Sequence, residues 1–179
     1  MDNAPRSAAP TESPKRRRVL YLVLAIAVLA PLVVVALSVD DWSRDLTTNR
    51  AATAIDHPDE RLRPRRVAGD AARVEAALER FVSERRAWRI ADEKELPGDS
   101  PLKEDASDAV AVWRLVHTTG LMRFRDDVWL VVLPADAGGV LLAGESRSRV
   151  GKGDLGQNPR NLDELLSGLA ERIAPVTDR

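Results

Sequence analysis

The 179-residue sequence contains no cysteine and only two histidines. Without cysteine, the chain has no disulfide framework, no thiol nucleophile and no thiolate-bound zinc or iron–sulfur centre. His57 and His117 lie far apart and lack the spacing of metal ligands, so we expect each to be exposed or capped rather than metal-bound. The sequence therefore predicts no metal site and no cofactor.

The chain also lacks an excess of either charge, because 27 basic side chains face 28 acidic ones and the net charge is −1. A dedicated nucleic-acid partner is not expected without a basic excess. With 44% hydrophobic and 31% charged residues, the chain is neither disordered throughout nor a protein with many membrane spans. Its length fits one domain with additional segments.

Residues 1–18 are rich in proline, serine and alanine, and carry a net charge of +3. Such a segment buries too little apolar surface to fold, so we predict a disordered basic cytoplasmic tail over residues 1–18. Because the whole chain carries −1 and residues 19–38 are uncharged, residues 39–179 carry −4. Because this net charge is negative, we expect no electrostatic attraction between residues 39–179 and anionic lipid.

Val19 to Ser38 is a run of twenty residues without a charged side chain. As a helix with a rise of ~1.5 Å per residue it covers ~30 Å, the thickness of the hydrocarbon core of a bilayer. We therefore predict a transmembrane helix over residues 19–38, with the lipid bilayer as its partner. The alternative is a signal peptide cleaved near Ser38, since Ala36 and Ser38 are small.

The basic cluster Lys15–Arg18 precedes this run, and Asp40 and Asp41 follow it. Positively charged residues stay on the cytoplasmic side of a membrane. We therefore predict a single-pass protein of the cytoplasmic membrane, with the amino terminus inside and the carboxyl-terminal domain outside.

The remainder divides into residues 39–68, an extended linker or N-terminal part of the domain, and residues 69–179, an outer domain. Asp70 is a predicted helix N-cap, and the apolar residues within Val74–Val82 follow the spacing of one helical face. Asn158 and Pro159 are predicted as the N-cap and first residue of a closing helix whose apolar face lies within 162–173.

Between the two helices, four segments carry the composition of strands. The first begins at Trp88, and the other three are Ala109–His117, Val128–Leu133 and Val140–Arg149. Pro97–Asp108 is predicted to be a surface loop. Val128–Leu133 is apolar on both faces, which indicates a strand covered on two sides. The order of helix, antiparallel meander of about four strands and helix predicts an α+β fold, a two-layer sandwich preceded by the transmembrane helix.

A glycine-rich loop, Val150–Asn158, connects the last strand to the closing helix. The N-terminus of that helix is predicted to be receptive to an anion. Gly151, Gly153 and Gly156 match the pattern of dinucleotide-binding proteins, but that fold needs a further parallel strand and an acidic residue ~20 positions on. These glycines are therefore expected to supply positive φ angles in a tight connection.

Two segments, Leu121–Val128 and Ser146–Asn158, are characteristic enough to suggest a family. The region from Asp45 to Leu169 resembles the domain-of-unknown-function family number fourteen ninety-nine, whose members are often membrane-associated. The resemblance implies family positions at these residues: Asp126, Asp127, Ser146, Ser148, Arg149, Gly151, Asp154, Gly156 and Asn158. The chain departs from the family in lacking a cysteine near Thr47–Ala52 and in having Asn161 where an arginine is common.

Two hypotheses follow for the charged members of this set. Arg123, Asp126, Asp127, Arg149 and Asp154 are predicted to form a network of paired charges at the end of the meander, bracing the loop before the last helix. Alternatively, Arg149, Lys152 and the helix end at Asn158 hold a small anionic or polar ligand. The two hypotheses differ on whether an open cavity adjoins the cluster.

The sequence predicts a membrane-anchored extracytoplasmic binding or interaction module, for a small anionic or apolar ligand or an envelope protein. One alternative is a structural partner of another envelope protein, using an exposed apolar strip or a sheet edge. A serine hydrolase is the third, with Ser146 or Ser148, His117 and an aspartate. Gly144–Ser148 lacks the form of a nucleophile elbow, and Asp126 and Asp127 point to opposite faces of an extended strand, so no catalytic residue is predicted.

Overall fold

The computed structural model describes residues 14–38, 47–120, 122–135 and 138–173, without the side chains of residues 14, 31, 32 and 34–38. The chain forms two units, Met1–Val39 and Asp40–Arg179. The first unit contains helix α1 (Pro14–Ser38). Because proline is compatible with the first turn of a helix, α1 begins before the apolar run, and Lys15–Arg18 are helical instead of belonging to a disordered tail. The rest of that predicted tail, residues 1–13, lies outside the described residues.

A membrane span requires a helix that is both long and strongly apolar, and no helix in the described part of the chain meets both conditions. The transmembrane helix predicted over residues 19–38 is therefore not confirmed. Part of that predicted span, at residues 31, 32 and 34–38, has side chains outside the described set.

The second unit is an α+β domain, as predicted, built on an antiparallel sheet. The described residues form six strands in it: β1 (Arg50–Ala52), β2 (Arg65–Ala68), β3 (Trp88–Ile90), β4 (Ala111–Thr118), β5 (Arg125–Ala135) and β6 (Gly139–Ser148). Their order is β1-β6-β5-β4-β3, and β2 also pairs with β6. Strands β3 to β6 are the predicted meander, because each pairs with the next along the chain.

The predicted number of about four strands is wrong, because β1 and β2 come from residues 39–68. Both strands pair with β6, β2 along its first half and β1 along its second half. They are three and four residues long and read RAA and RRVA. Strands so short and polar show no alternation of apolar and polar residues, so their sequence does not indicate them.

Two helices cover one face of the sheet. Helix α2 (Ala71–Ser83) begins where predicted, since the side chain of Asp70 accepts a hydrogen bond from Arg73 N at 3.0 Å. Helix α3 (Gln157–Arg172) closes the domain. The predicted apolar faces of both helices join the core at these buried positions: Val74, Ala77, Leu78, Phe81, Leu162, Leu165, Leu166, Leu169 and Ile173.

The other face of the sheet is covered by the segment 91–110, which contains the predicted loop and a short 3-10 helix, Asp105–Asp108. Leu102 in this segment is buried against Val131 of β5 and Ala143 of β6. This second cluster explains why β5 is apolar on both faces, as the sequence indicated.

Candidate functional site

Three polar residues lie side by side at one end of the neighbouring strands β4, β5 and β6. His117 of β4 is paired with Asp126 of β5, and Asp126 is paired with Ser148 of β6. The Asp126 side chain is almost fully buried, at 1% exposure. Ser148 Oγ donates to Asp126 Oδ1 at 2.7 Å, and Asn161 Nδ2 of α3 donates to Asp126 Oδ2 at 2.9 Å. The carboxylate therefore ties two strands to α3.

Asp126 is held in its ionised form. Burial alone would raise the pKa of its carboxyl group, but the polar groups of His117, Ser148 and Asn161 outweigh burial and lower that pKa below its ordinary value. His117 Nδ1 lies 3.6 Å from Asp126 Oδ2, beyond hydrogen-bond distance, and has no hydrogen-bond partner among the described residues.

A second set of polar contacts extends this cluster to the start of α3. Ser146, Asn158 and Asn161 are each fully buried. Ser146 Oγ donates to Asn158 Oδ1 at 2.6 Å and accepts from Asn161 Nδ2 at 3.2 Å. Asn158 Nδ2 donates to the carbonyl of Asn49 at 2.8 Å. The first turn of α3 is thus fastened to β6 and to the chain just before β1.

Asp154 occupies the place predicted for an anion. Its Oδ1 accepts from Gly156 N at 2.9 Å, and its Oδ2 accepts from Asn158 N at 2.8 Å. The carboxylate therefore caps free N–H groups at the positive end of the α3 dipole. The prediction that Asn158 is the N-cap is wrong: Gly156 takes that position, and the Asn158 side chain turns to Ser146 instead.

Two of the three loop glycines adopt the positive φ angles expected of them. Gly151 has φ +95° and Gly156 has φ +74°, values that only glycine adopts without strain. Gly153 is not among the residues with positive φ. The loop is thus a tight connection between a sheet whose strands are all antiparallel and a single helix, which is not the setting of a dinucleotide site.

Asp127 and Arg149 lie on the opposite face of the sheet from Asp126. Arg149 holds Asp127 through two hydrogen bonds of 2.8 and 2.7 Å, and Arg114 Nε adds a third at 3.1 Å. Burial would raise the pKa of Asp127, but the two guanidinium groups outweigh it and lower that pKa. The two aspartates point to opposite faces, as strand geometry predicted.

In place of the predicted single network of paired charges there are two separate clusters, one on each face of the sheet. Asp126 belongs to the helix-facing cluster of hydroxyl and amide groups, and Asp127 and Arg149 belong to the cluster on the other face. Arg123 joins neither cluster, since it is exposed in the turn before β5 with φ +53°.

One surface cavity of about 380 Å³ adjoins the second cluster, because Arg114 lines it together with residues 89–93 and Val116. Two other cavities among the described residues lie away from both clusters. One of about 390 Å³ is lined by Glu93–Pro97 and Trp129, and one of about 540 Å³ by residues of the same segment together with Val112. Neither is lined by a predicted site residue.

The positions of His117 and the serines do not form a hydrolase triad. In a triad the histidine stands between the serine and the acid. Here Ser148 donates directly to Asp126, and Ser146 is fully buried and bonded to Asn158. Within the described residues, no group of three or more potential metal ligands could hold an ion.

Sequence reasoning missed a buried acid on the second face. Glu145 is fully buried, accepts from Ser100 Oγ at 2.5 Å and pairs with Arg147 Nη2 at 2.9 Å. The signal was present, because Glu145 continues the face of Leu141 and Ala143 in β6. His117 was expected to be exposed or capped but is buried, whereas His57 is capped, since its Nδ1 accepts from the amide of Asp59.

Acid is expected to destabilise the domain through Asp126 and Asp127. The pKa of each carboxyl group is lower in the folded state than in the unfolded chain. Their contribution to the free energy of unfolding is therefore complete above the ordinary carboxyl pKa of about 4, and it is lost as the pH falls through the lowered pKa values. The urea midpoint should therefore be lower at about pH 3 than at about pH 7. Asp126→Asn should reduce this loss, and an unchanged loss in that variant would show that Asp126 is not involved.

A family model described as "Protein of unknown function (DUF1499)" matches residues 39–169 of the chain. This match confirms the resemblance seen in the sequence and covers all six strands and most of α3. No curated protein and no solved structure gives a significant match.

Proposed function

Since the chain belongs to the DUF1499 family, whose description states no function, we propose one from its own residues. The chain is a membrane-anchored extracytoplasmic module that works by contacts at the surface of its folded domain. Its partner is a lipid surface or an envelope protein, and its motif residues brace the fold.

One observation carries the choice of a surface-interaction module. Polar groups at the family positions have partners inside the domain. Asp126 accepts from Ser148 and from Asn161 of α3, and Asp154 accepts from the backbone N–H groups at the α3 N-terminus. An internal carboxylate already fills the place where a small anion would bind. Surface contacts are therefore left as the domain's means of interaction.

The anchor is proposed from the apolar run over residues 19–38. The described part of α1 exposes large apolar side chains at consecutive positions, among them Leu20, Tyr21 and Leu22, each at least half exposed. An uninterrupted apolar surface of this kind is typical of contact with lipid or with another protein. The basic cluster Lys15–Arg18 supports an amino terminus on the cytoplasmic side.

The proposal is tested with tags at the two ends of the full-length chain in intact cells. We expect the protein to sediment with membranes and to resist extraction by salt and alkali. External protease should remove the carboxyl-terminal tag and spare the amino-terminal one. As a control, permeabilised cells should lose both tags.

A variant in which Lys15, Arg16, Arg17 and Arg18 are replaced by Gln should lose this fixed orientation. A carboxyl-terminal tag protected in intact cells would contradict the proposed sidedness. Recovery of the uncut chain in the soluble fraction would contradict the anchor.

A further inference from the structure

One end of the sheet exposes apolar and basic side chains together. Met122 and Val150 are each 64% exposed, and Phe124 is 47% exposed. The basic residues Arg123, Arg125 and Lys152 beside them are exposed as well. We call these six residues the tip: Met122, Arg123, Phe124, Arg125, Val150 and Lys152.

Backbone pairing brings the two segments of the tip together. Arg149 N donates to the carbonyl of Arg125 at 3.1 Å, which joins the end of β6 to the start of β5. Thr119 N donates to the carbonyl of Phe124 at 2.9 Å and closes the turn between β4 and β5. The exposed apolar and basic side chains therefore lie together at one end of the sheet.

The tip is basic although residues 39–179 carry −4 overall. The described residues contain many ion pairs, including that of Arg149 with Asp127, but within them no carboxylate pairs with Arg123, Arg125 or Lys152. A charged surface acts mainly on charges within a Debye length of about 10 Å. The net charge of the domain therefore does not decide how the tip responds to an anionic surface.

The chain enters the folded domain at this same end. Ser148 N donates to the carbonyl of Asn49 at 2.8 Å, and Asn49 Nδ2 donates to the carbonyl of Gly151 at 3.2 Å. Only residues 39–48 separate Asn49 from Ser38, the last residue of the apolar run. A segment of that length reaches at most about 40 Å when fully extended.

We propose that the tip docks on the surface of an anionic phospholipid bilayer. Exposed apolar side chains flanked by lysine and arginine are the chemistry of interfacial binding: the apolar groups enter the boundary between headgroups and acyl chains, and the cations meet lipid phosphates. This inference rests on the proposed anchor, because a short tether at the same end gives the tip a high effective concentration at the bilayer. The same tether favours lipid over an acidic protein as the partner.

The test uses the full-length chain, which has no cysteine to interfere with labelling. Met122→Cys and, as a matched control, Val110→Cys each receive an environment-sensitive fluorophore. Val110 is also exposed and apolar but lies next to β4 at its other end. Each protein is reconstituted into vesicles of neutral phosphatidylcholine, with or without anionic phosphatidylglycerol, and exposed to an aqueous quencher.

We expect the label at residue 122 to be protected in anionic vesicles and the label at residue 110 to stay accessible in both. Adding Arg123→Gln and Arg125→Gln should lower the ratio of docked to undocked tip about 30-fold, or about fivefold for each cation removed. The charge variant should still float with the vesicles, since its apolar run is unchanged.

Equal accessibility of the two labels in protein that floats with anionic vesicles would overturn the docking proposal and leave the anchor standing. Failure of the protein to float would overturn both. Protection that is the same in neutral vesicles, or that survives the charge variant, would contradict electrostatic docking. Protection that appears in detergent as the protein concentration rises would assign the tip to a second copy of the chain instead of lipid.

Discussion

Asp126→Ala is expected to lower the free energy of unfolding by about 3 kcal/mol. The carboxylate is 1% exposed and accepts hydrogen bonds from Ser148 and Asn161. Removing it leaves the part-buried Ser148 hydroxyl and the fully buried Asn161 amide without their acceptor, which weakens the contact of α3 with the sheet. Urea denaturation, followed by the tryptophan fluorescence of the domain, measures the loss.

Two further variants make the first prediction specific. Asp126→Asn keeps the size of the side chain and one acceptor oxygen, so it should cost less than Asp126→Ala. Asp92→Ala removes an exposed carboxylate and should change the free energy of unfolding by no more than about 0.5 kcal/mol. Equal effects of Asp126→Ala and Asp92→Ala would mean that the buried contacts contribute nothing.

Arg147→Met is also expected to cost about 3 kcal/mol, through the opposite face of the sheet. It removes the ion pair of the fully buried Glu145 and leaves that carboxylate with Ser100 as its hydrogen-bond donor. The double variant Glu145→Leu/Arg147→Met should recover much of the stability, because it removes both charges together and puts apolar groups in their place.

The exposed partner of Arg147 provides the control for this second prediction. Arg147 also pairs with Asp99, whose side chain is 67% exposed. Asp99→Ala should therefore lower the free energy of unfolding far less than Arg147→Met does. If Asp99→Ala is as harmful as Arg147→Met, the exposed pair and not the buried Glu145 is what stabilises the segment 91–110.

The elements with strong periodicity could be predicted from the sequence. The spacing of Leu162, Leu165 and Leu169 gave α3, and the apolar character of both faces of β5 gave a strand covered on two sides. Strand alternation also placed Asp126 and Asp127 on opposite faces. Each of these predictions depends only on the geometry of a single helix or strand.

Features that depend on pairing between distant segments could not be predicted. Strands β1 and β2 are too short and polar to show a pattern of alternation. Their positions depend on backbone pairing with β6, which is distant in sequence. His117 meets Asp126 because of the register fixed by the turn between β4 and β5. Asn158 has the composition of an N-cap, but Asp154 competes for the free N–H groups and caps the helix in its place.

We infer that the polar residues around Asp126 act together as an internal brace between α3 and the sheet. A double-mutant cycle of Asp126→Ala and Asn161→Ala tests it most directly, because Asn161 Nδ2 donates to Asp126 Oδ2 at 2.9 Å. We expect a coupling free energy of about 1–3 kcal/mol in urea unfolding. Costs that add to within about 0.5 kcal/mol would contradict it.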